Sequence, residues 1–233
     1  AIADMNADKK PDIVLCDARD IAWYQNPSWK KHIIVENLTQ RDHVCIAVRD
    51  IDGDGRAEIA AGAQWNPGET TDTAKSGAVF YLIPPKDRTQ KWTPVQLHHE
   101  PTTHRMRWFA APNGSYDLVV LPLHGRGNRA NKGEGVRTLA YHMPTDPRQP
   151  WKTTLIDDNL HASHNFDVAR WDGDKADEMT AQEQADGTFR KWSLVERLKL
   201  LSQLDAEGFK LSRFPLHKFD LFDPALQTWY ASR

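Results

Sequence analysis

The stretch that decides the fold reads Asp50-Ile51-Asp52-Gly53-Asp54-Gly55-Arg56-Ala57-Glu58, and the apolar run 59–63 follows it at once. Carboxylates stand at its first, third, fifth and ninth places, and its glycines allow a tight backbone turn. The candidate ligands are Asp50, Asp52, Asp54 and Glu58. Calcium binds six to eight oxygen ligands at about 2.3–2.6 Å, so these side chains, one carbonyl and water could complete its coordination. We predict a structural calcium site, and the alternative is a plain turn between two strands, which favours the same residues.

The pattern recurs 46 residues earlier. The matching residues, which we also predict to be calcium ligands, are Asp4, Asn6, Asp8 and Asp12. Weaker copies begin near residues 109 and 170; the first of these keeps Asn113, Gly114 and Asp117, and the second keeps Asp172, Asp174 and Glu178. Repeats that start near 4, 50, 109 and 170 have spacings close to the length of a propeller blade, with loops inserted in the longer two. We therefore predict an all-β chain, a partial β-propeller of three full blades and part of a fourth, over residues 1–192.

Three tryptophans begin the expected outer strands of these blades. The strands span Trp29 to Val35, Trp92 to His98 and Trp151 to Ile156, and each follows a turn with a nearby proline. Because large aromatic side chains mostly supply buried area, we predict that each tryptophan caps the core of its blade.

The repeat pattern ends before residue 193. Leu194, Leu198 and Leu201 then recur at helical spacing, with charged residues between them. We assign residues 193–233 to a separate, non-repeat segment. It is either a short helix packed on the propeller or a tail outside the repeat.

Composition excludes some functional classes. The formal net charge is −2 and the calculated pI is about 6.6, so the chain lacks the basic surface expected of a nucleic-acid partner. No apolar run approaches the length of about 18 residues that spans a membrane. Two cysteines, Cys16 and Cys45, lie in predicted strands, and we expect free thiols.

The Asp-x-Asp-Gly-Asp-Gly loops and the turn at residues 23–27 resemble the VCBS/FG-GAP family of calcium-loop β-propellers. Two further stretches are similar to the propeller domains of the aldos-2-ulose dehydratase family: residues 100–108 and residues 160–166. The resemblance covers residues 1–192 and implies a ring of about seven blades, of which about 3.5 are visible here. It also implies metal-assisted elimination of water from a sugar derivative, and it favours a periplasmic or extracellular location.

Histidines precede the innermost strands of successive blades. They are His43, His104, His161 and His164. Because equivalent positions on successive blades converge towards the central channel, these imidazoles are candidate ligands for zinc or another divalent metal. A metal there would polarise a substrate carbonyl while a free histidine removes the neighbouring proton. We therefore predict His104 and His164 as catalytic residues, with Arg105, or alternatively Arg107, holding the developing negative charge. The segment from His124 to Glu134 is either a lid over this rim or a solvated loop.

Two classes of function follow. The first is a carbohydrate-active lyase or dehydratase, with calcium purely structural and a sugar-derived small molecule as its partner. The second is a non-catalytic calcium-binding propeller that binds a glycan or a protein. A third arrangement, in which the chain is one domain of a longer enzyme with a missing partner domain, stays open.

Overall fold

The computed structural model describes residues 1–111, 113–130, 132–169, 176–185 and 188–189, and every regular element in them is a β-strand. These residues belong to one compact unit, Ala1–Phe189. Within this part of the chain, no helix has the length and apolar character needed to cross a membrane. The predicted repeat residues 170–175 and the segment 193–233 lie outside the described residues.

The strands form four antiparallel sheets, and within each sheet they pair in sequence order. The first sheet contains β1 (Ile2–Ala3), β2 (Asp12–Cys16), β3 (Asp20–Gln25) and β4 (Lys30–Glu36). The second contains β5 (Cys45–Arg49), β6 (Glu58–Ala63), β7 (Ala78–Ile83) and β8 (Thr93–Leu97). The third contains β9 (Thr103–Ala110), β10 (Tyr116–Pro122), β11 (Thr138–His142) and β12 (Lys152–Asp157). The fourth contains β13 (Ser163–Ala169), β14 (Glu178–Ala185) and β15 (Thr188–Phe189).

The first strand of each sheet lies against the first strand of the next. Strand β1 contacts β5, β5 contacts β9, and β9 contacts β13. Meander sheets that meet in this way along their first strands are the blades of a propeller, with those strands nearest the axis. The described residues therefore form a partial β-propeller, and the predicted fold class is confirmed.

The hydrophobic cores lie between neighbouring blades. On β6, Ile59 and Ala61 pack towards the first blade while Ala60 packs towards the third, so the strand is buried on both faces. Their counterparts on β2, Ile13 and Leu15, are 42% and 45% exposed. Successive side chains of a strand point to opposite faces, so a blade with a neighbour on each side needs apolar residues on both.

The tryptophan prediction holds at two of three positions. Trp92 and Trp151 are buried, and both belong to the cores between blades. The prediction was wrong for Trp29, which is 52% exposed in the turn before β4. Trp23 on β3 fills the first core instead, where its ring stacks on His32 with centroids 4.6 Å apart. The two cysteines are free thiols.

The first repeat loop carries backbone strain that the second avoids. Ala7 and Lys9 both have φ of +64°, in the left-handed region, where the second loop has Gly53 and Gly55. A side chain in this region costs about 1–2 kcal/mol. We expect Lys9→Gly to stabilise the protein by up to about 1 kcal/mol, since glycine's extra freedom in the unfolded chain offsets part of the relief. Chemical denaturation measures the change.

The neighbouring exposed residue Lys10 serves as the control for this prediction, because its φ is not positive. Lys10→Gly should leave stability unchanged or lower it. Equal effects of the two substitutions would mean that the strain at Lys9 contributes nothing.

Candidate functional site

The connections between strands emerge at two opposite ends of each blade. The repeat loops 4–11 and 50–57 join the first and second strands, and together they define the loop face. In an antiparallel meander, the connection after the second strand and the link to the next blade emerge at the other end. This end, which we call the histidine face, carries the connections 37–44, 64–77, 98–102 and 123–137.

On the loop face, the second repeat loop gathers three carboxylates. One oxygen from each of Asp50, Asp52 and Glu58 lies within 4.8 Å of the others. Two ligands that share one calcium ion at about 2.3–2.6 Å are separated by no more than about 5 Å, so this spacing fits calcium. The loop holds its own shape, because Asp50 accepts hydrogen bonds from the N–H groups of Gly53 and Gly55 at 2.8 and 2.9 Å.

The fourth predicted ligand of this loop points elsewhere. Asp54 Oδ2 accepts hydrogen bonds from Arg56 Nε at 2.9 Å and Arg56 Nη2 at 2.5 Å. The bond from Arg56 is the main reason why the pKa of Asp54 lies below its usual value. Asp54 is therefore absent from the group of three.

Glu58 is the buried member of the group, with 3% of its surface exposed. Its Oε2 accepts the Ile51 N–H at 3.1 Å, and its Oε1 pairs with Arg88 Nη2 at 2.7 Å. Burial raises the pKa of Glu58, and the bond from Arg88 opposes that shift. A divalent cation beside Glu58 would favour its charged form further.

The first repeat loop has the same pattern of backbone hydrogen bonds as the second, but fewer of its carboxylates remain to bind a cation. Asp4 accepts from Ala7 and Lys9, as Asp50 does from Gly53 and Gly55. The buried Asp12 uses its two oxygens for the N–H groups of Met5 and Asn26. Asn6 and Asp8 accept backbone N–H groups in the same loop. Among the described residues, only the second loop brings three His, Cys, Asp or Glu side chains within 4.8 Å.

The third repeat, near residue 109, forms a tight turn. Asn113 Oδ1 accepts from both the N–H and the hydroxyl of Ser115. Asp117 pairs with His142 Nδ1 at 2.8 Å on the neighbouring strand. Neither side chain is thus directed to a shared cation site.

On the histidine face, two of the predicted histidines meet. The rings of His104 and His164 make an edge contact with centroids 4.7 Å apart. The ring of His104 also stacks on Trp65, with centroids 5.1 Å apart. Arg105 Nη1 lies 3.3 Å from His104 Nδ1 and donates to the His104 carbonyl at 2.9 Å. We call His104, His164, Arg105 and Trp65 the histidine cluster.

His104 is held in its neutral form. Its pKa is lowered to about 3, with burial as the largest cause and the charges of Arg105, His164 and His124 as the smaller ones. Its Nε2 is buried and has no hydrogen-bond partner among the described residues. A neutral imidazole can bind a metal or accept a hydrogen bond, but a pKa this low makes it a weak proton acceptor.

The other predicted zinc ligands have different surroundings. The carbonyl of His161 accepts from Gly125 and Asn128, which ties the 124–134 segment to the link before β13. His43 is buried, and burial lowers its pKa. The backbone groups and the charges of Asp17 and Asp20 oppose that shift. Trp65 was not predicted from the sequence, and His124 was predicted only as the start of a possible lid; both lie in connections of the histidine face.

Two family models match the N-terminal part of the chain. The FG-GAP-like repeat model matches residues 4–61, and the FG-GAP repeat model matches residues 46–82. Each match includes at least one of the two repeat loops and the strand after it. No curated protein matches the chain significantly. The first two blades of this propeller therefore carry FG-GAP repeats.

Proposed function

We propose that this chain is a non-catalytic, calcium-binding propeller module that presents its histidine face to a carbohydrate or protein partner. The observation that carries the proposal is the group of Asp50, Asp52 and Glu58, with ligand atoms within 4.8 Å of one another. Hard carboxylate oxygens at this spacing suit calcium better than a softer metal.

Calcium in this loop would act on the stability of the fold. The loop joins β5 to β6, and Glu58 at the start of β6 is buried beside Arg88. A cation there would offset the mutual repulsion of three carboxylates and link the two strands across their connection. The histidine cluster lies at the opposite ends of the strands. Calcium binding would therefore affect the cluster only by making the blades more rigid.

We expect calcium to stabilise the protein by about 2.7 kcal/mol at a concentration 100 times its dissociation constant. Thermal unfolding after treatment with a chelator, and again after addition of calcium, measures this gain. Asp50→Asn should remove most of it, because Asp50 supplies one of the three gathered carboxylates.

Asp54→Asn is the matched control for calcium binding, since Asp54 lies in the same loop and pairs with Arg56. It should retain the calcium-dependent gain in stability. Absence of any gain in the unmodified chain, or equal losses in the two variants, would contradict the proposed site.

The histidine cluster favours a second candidate function, a lyase that eliminates water from a sugar derivative. The specific observation is the contact between His104 and His164 beside the guanidinium of Arg105. Two imidazoles could hold a divalent metal that polarises a carbonyl, and Arg105 could stabilise the enolate. The binding module ranks first because, among the described residues, a group of three His, Cys, Asp or Glu side chains within 4.8 Å forms in the second repeat loop and not around this pair.

Metal analysis separates the two functions. If the lyase is correct, the purified chain should contain a transition metal after mild chelation, and His104→Ala and His164→Ala should each lose it. Finding only calcium, unchanged by both substitutions, would eliminate the lyase and leave the binding module.

A further inference from the structure

A cavity of about 420 Å³ opens on the histidine face beside the second blade. Its walls come from the link between the first two blades, the connection 64–77, and the outer strand β8 with the residues after it. The polar residues that line it are Thr39, Gln40, Gln64, Thr73, Gln96 and His99. None of them belongs to the histidine cluster or to the repeat loops.

The lining contains hydrogen-bonding groups but no Asp, Glu, Lys or Arg. Three of its side chains are glutamine carboxamides, and each offers two donors and a carbonyl acceptor. Small residues, Ala74, Gly77 and Ala78, leave room between them. Sugar hydroxyls both donate and accept, so they match such walls, whereas an ionic ligand would lose hydration without gaining an opposite charge.

Gln64 is held in a strained conformation at this cavity. Its φ is +56°, in the left-handed region, which costs a residue with a side chain about 1–2 kcal/mol. Its N–H donates to Thr39 Oγ1 and its carbonyl accepts from Gly77 N–H, both at 3.0 Å. Its Oε1 is buried and has no hydrogen-bond partner among the described residues. Strain of this kind persists where surrounding contacts fix a residue in place, and it is concentrated at binding sites.

We propose that this cavity binds a neutral, polyhydroxylated molecule of about monosaccharide size. In this proposal the side-chain carboxamide of Gln64 forms hydrogen bonds with the bound molecule. The volume lies near the lower end of the range for small-molecule sites, about 300–1,000 Å³. The site adds a specific ligand to the proposed propeller module. It does not require calcium, because the repeat loops lie on the opposite face.

The test uses glucose, galactose and mannose as probes, with glucuronate and glucosamine as charged counterparts. Ligand-observed NMR on the full chain, at about 10 mM sugar, detects dissociation constants near 1 mM. We expect at least one of the three neutral sugars to bind. Glucuronate and glucosamine should both bind at least tenfold more weakly than that sugar. Failure of all three neutral sugars to bind would overturn the proposal, and so would binding of the charged sugars with equal or higher affinity.

The variant Gln64→Gly separates binding from folding. Glycine accepts a positive φ without strain, so this variant should be at least as stable as the unmodified chain while sugar affinity falls at least tenfold. Gln149→Ala, at an exposed site outside the cavity, should leave affinity unchanged. Undiminished binding by Gln64→Gly would overturn the role of this residue. The outcome of the calcium experiment does not depend on sugar binding, because that experiment measures the thermal stability of the unmodified chain and of Asp50→Asn.

Discussion

Replacing Arg88 by methionine is expected to destabilise the protein by about 3–5 kcal/mol, the range for breaking a buried ion pair from one side. Arg88 is 7% exposed and Glu58 is 3% exposed, so the substitution would leave a largely buried carboxylate without its cation. Arg88 Nη1 also donates to the Ala57 carbonyl at 2.5 Å, and that bond would be lost too. Urea denaturation at neutral pH, without calcium, measures the loss through the transition midpoint.

The double variant Arg88→Met with Glu58→Gln provides the control. Glutamine removes the charge but keeps an acceptor for the Ile51 N–H, so the double variant should regain much of the lost stability. If the double variant were as unstable as the sum of the two single variants, the cost would come from packing and the carbonyl bond, and the ion pair would contribute little.

The ion pair between Arg88 and Glu58 is a part of the site that could not be predicted from the sequence. The spacing of carboxylates within nine residues predicted the loop, because a short loop fixes which side chains can converge. Arg88 lies 30 residues after Glu58, in the turn between β7 and β8. That turn meets the repeat loop only because β6 pairs with β7, and no local pattern encodes the pairing. The pairing of Asp54 with Arg56, two residues away, is local, but the spacing of the carboxylates alone did not indicate it.

The register of the repeats predicted more about which residues lie close together than any single motif did. It placed the histidine links at equivalent positions on successive blades, and the rings of His104 and His164 lie 4.7 Å apart. The register could not indicate the stacking of Trp65 on His104, because the connection 64–77 is an insertion with no counterpart in the shorter first blade. The same insertion supplies Gln64 and Thr73 to the cavity. Inserted loops thus supply residues to both proposed sites of the histidine face, and sequence periodicity gives no information about them.

The second large effect is a loss of stability in acid that depends on His104. Its pKa is about 3 in the folded protein against an ordinary value of 6.5, so between these values the unfolded chain binds a proton that the folded chain does not. Stability is therefore complete above about pH 6.5 and falls as the pH decreases towards 3. One such residue contributes roughly 1.4 kcal/mol for each pH unit well below 6.5, or about 2 kcal/mol between pH 7 and pH 5.

Urea denaturation of the unmodified chain and of His104→Gln at a series of pH values between 7 and 5 isolates this contribution, because other groups that titrate in both proteins cancel in the difference. The groups that face His104 are Arg105, His164, His124 and Trp65, and none is a carboxylate that would hold the imidazolium in place. The variant should lose about 2 kcal/mol less than the unmodified chain over this range. His104→Phe, which differs in shape but also cannot titrate, should show the same reduced slope. Parallel pH profiles for all three proteins would mean that His104 takes up its proton in the folded state, which would restore it as a candidate general base for the lyase.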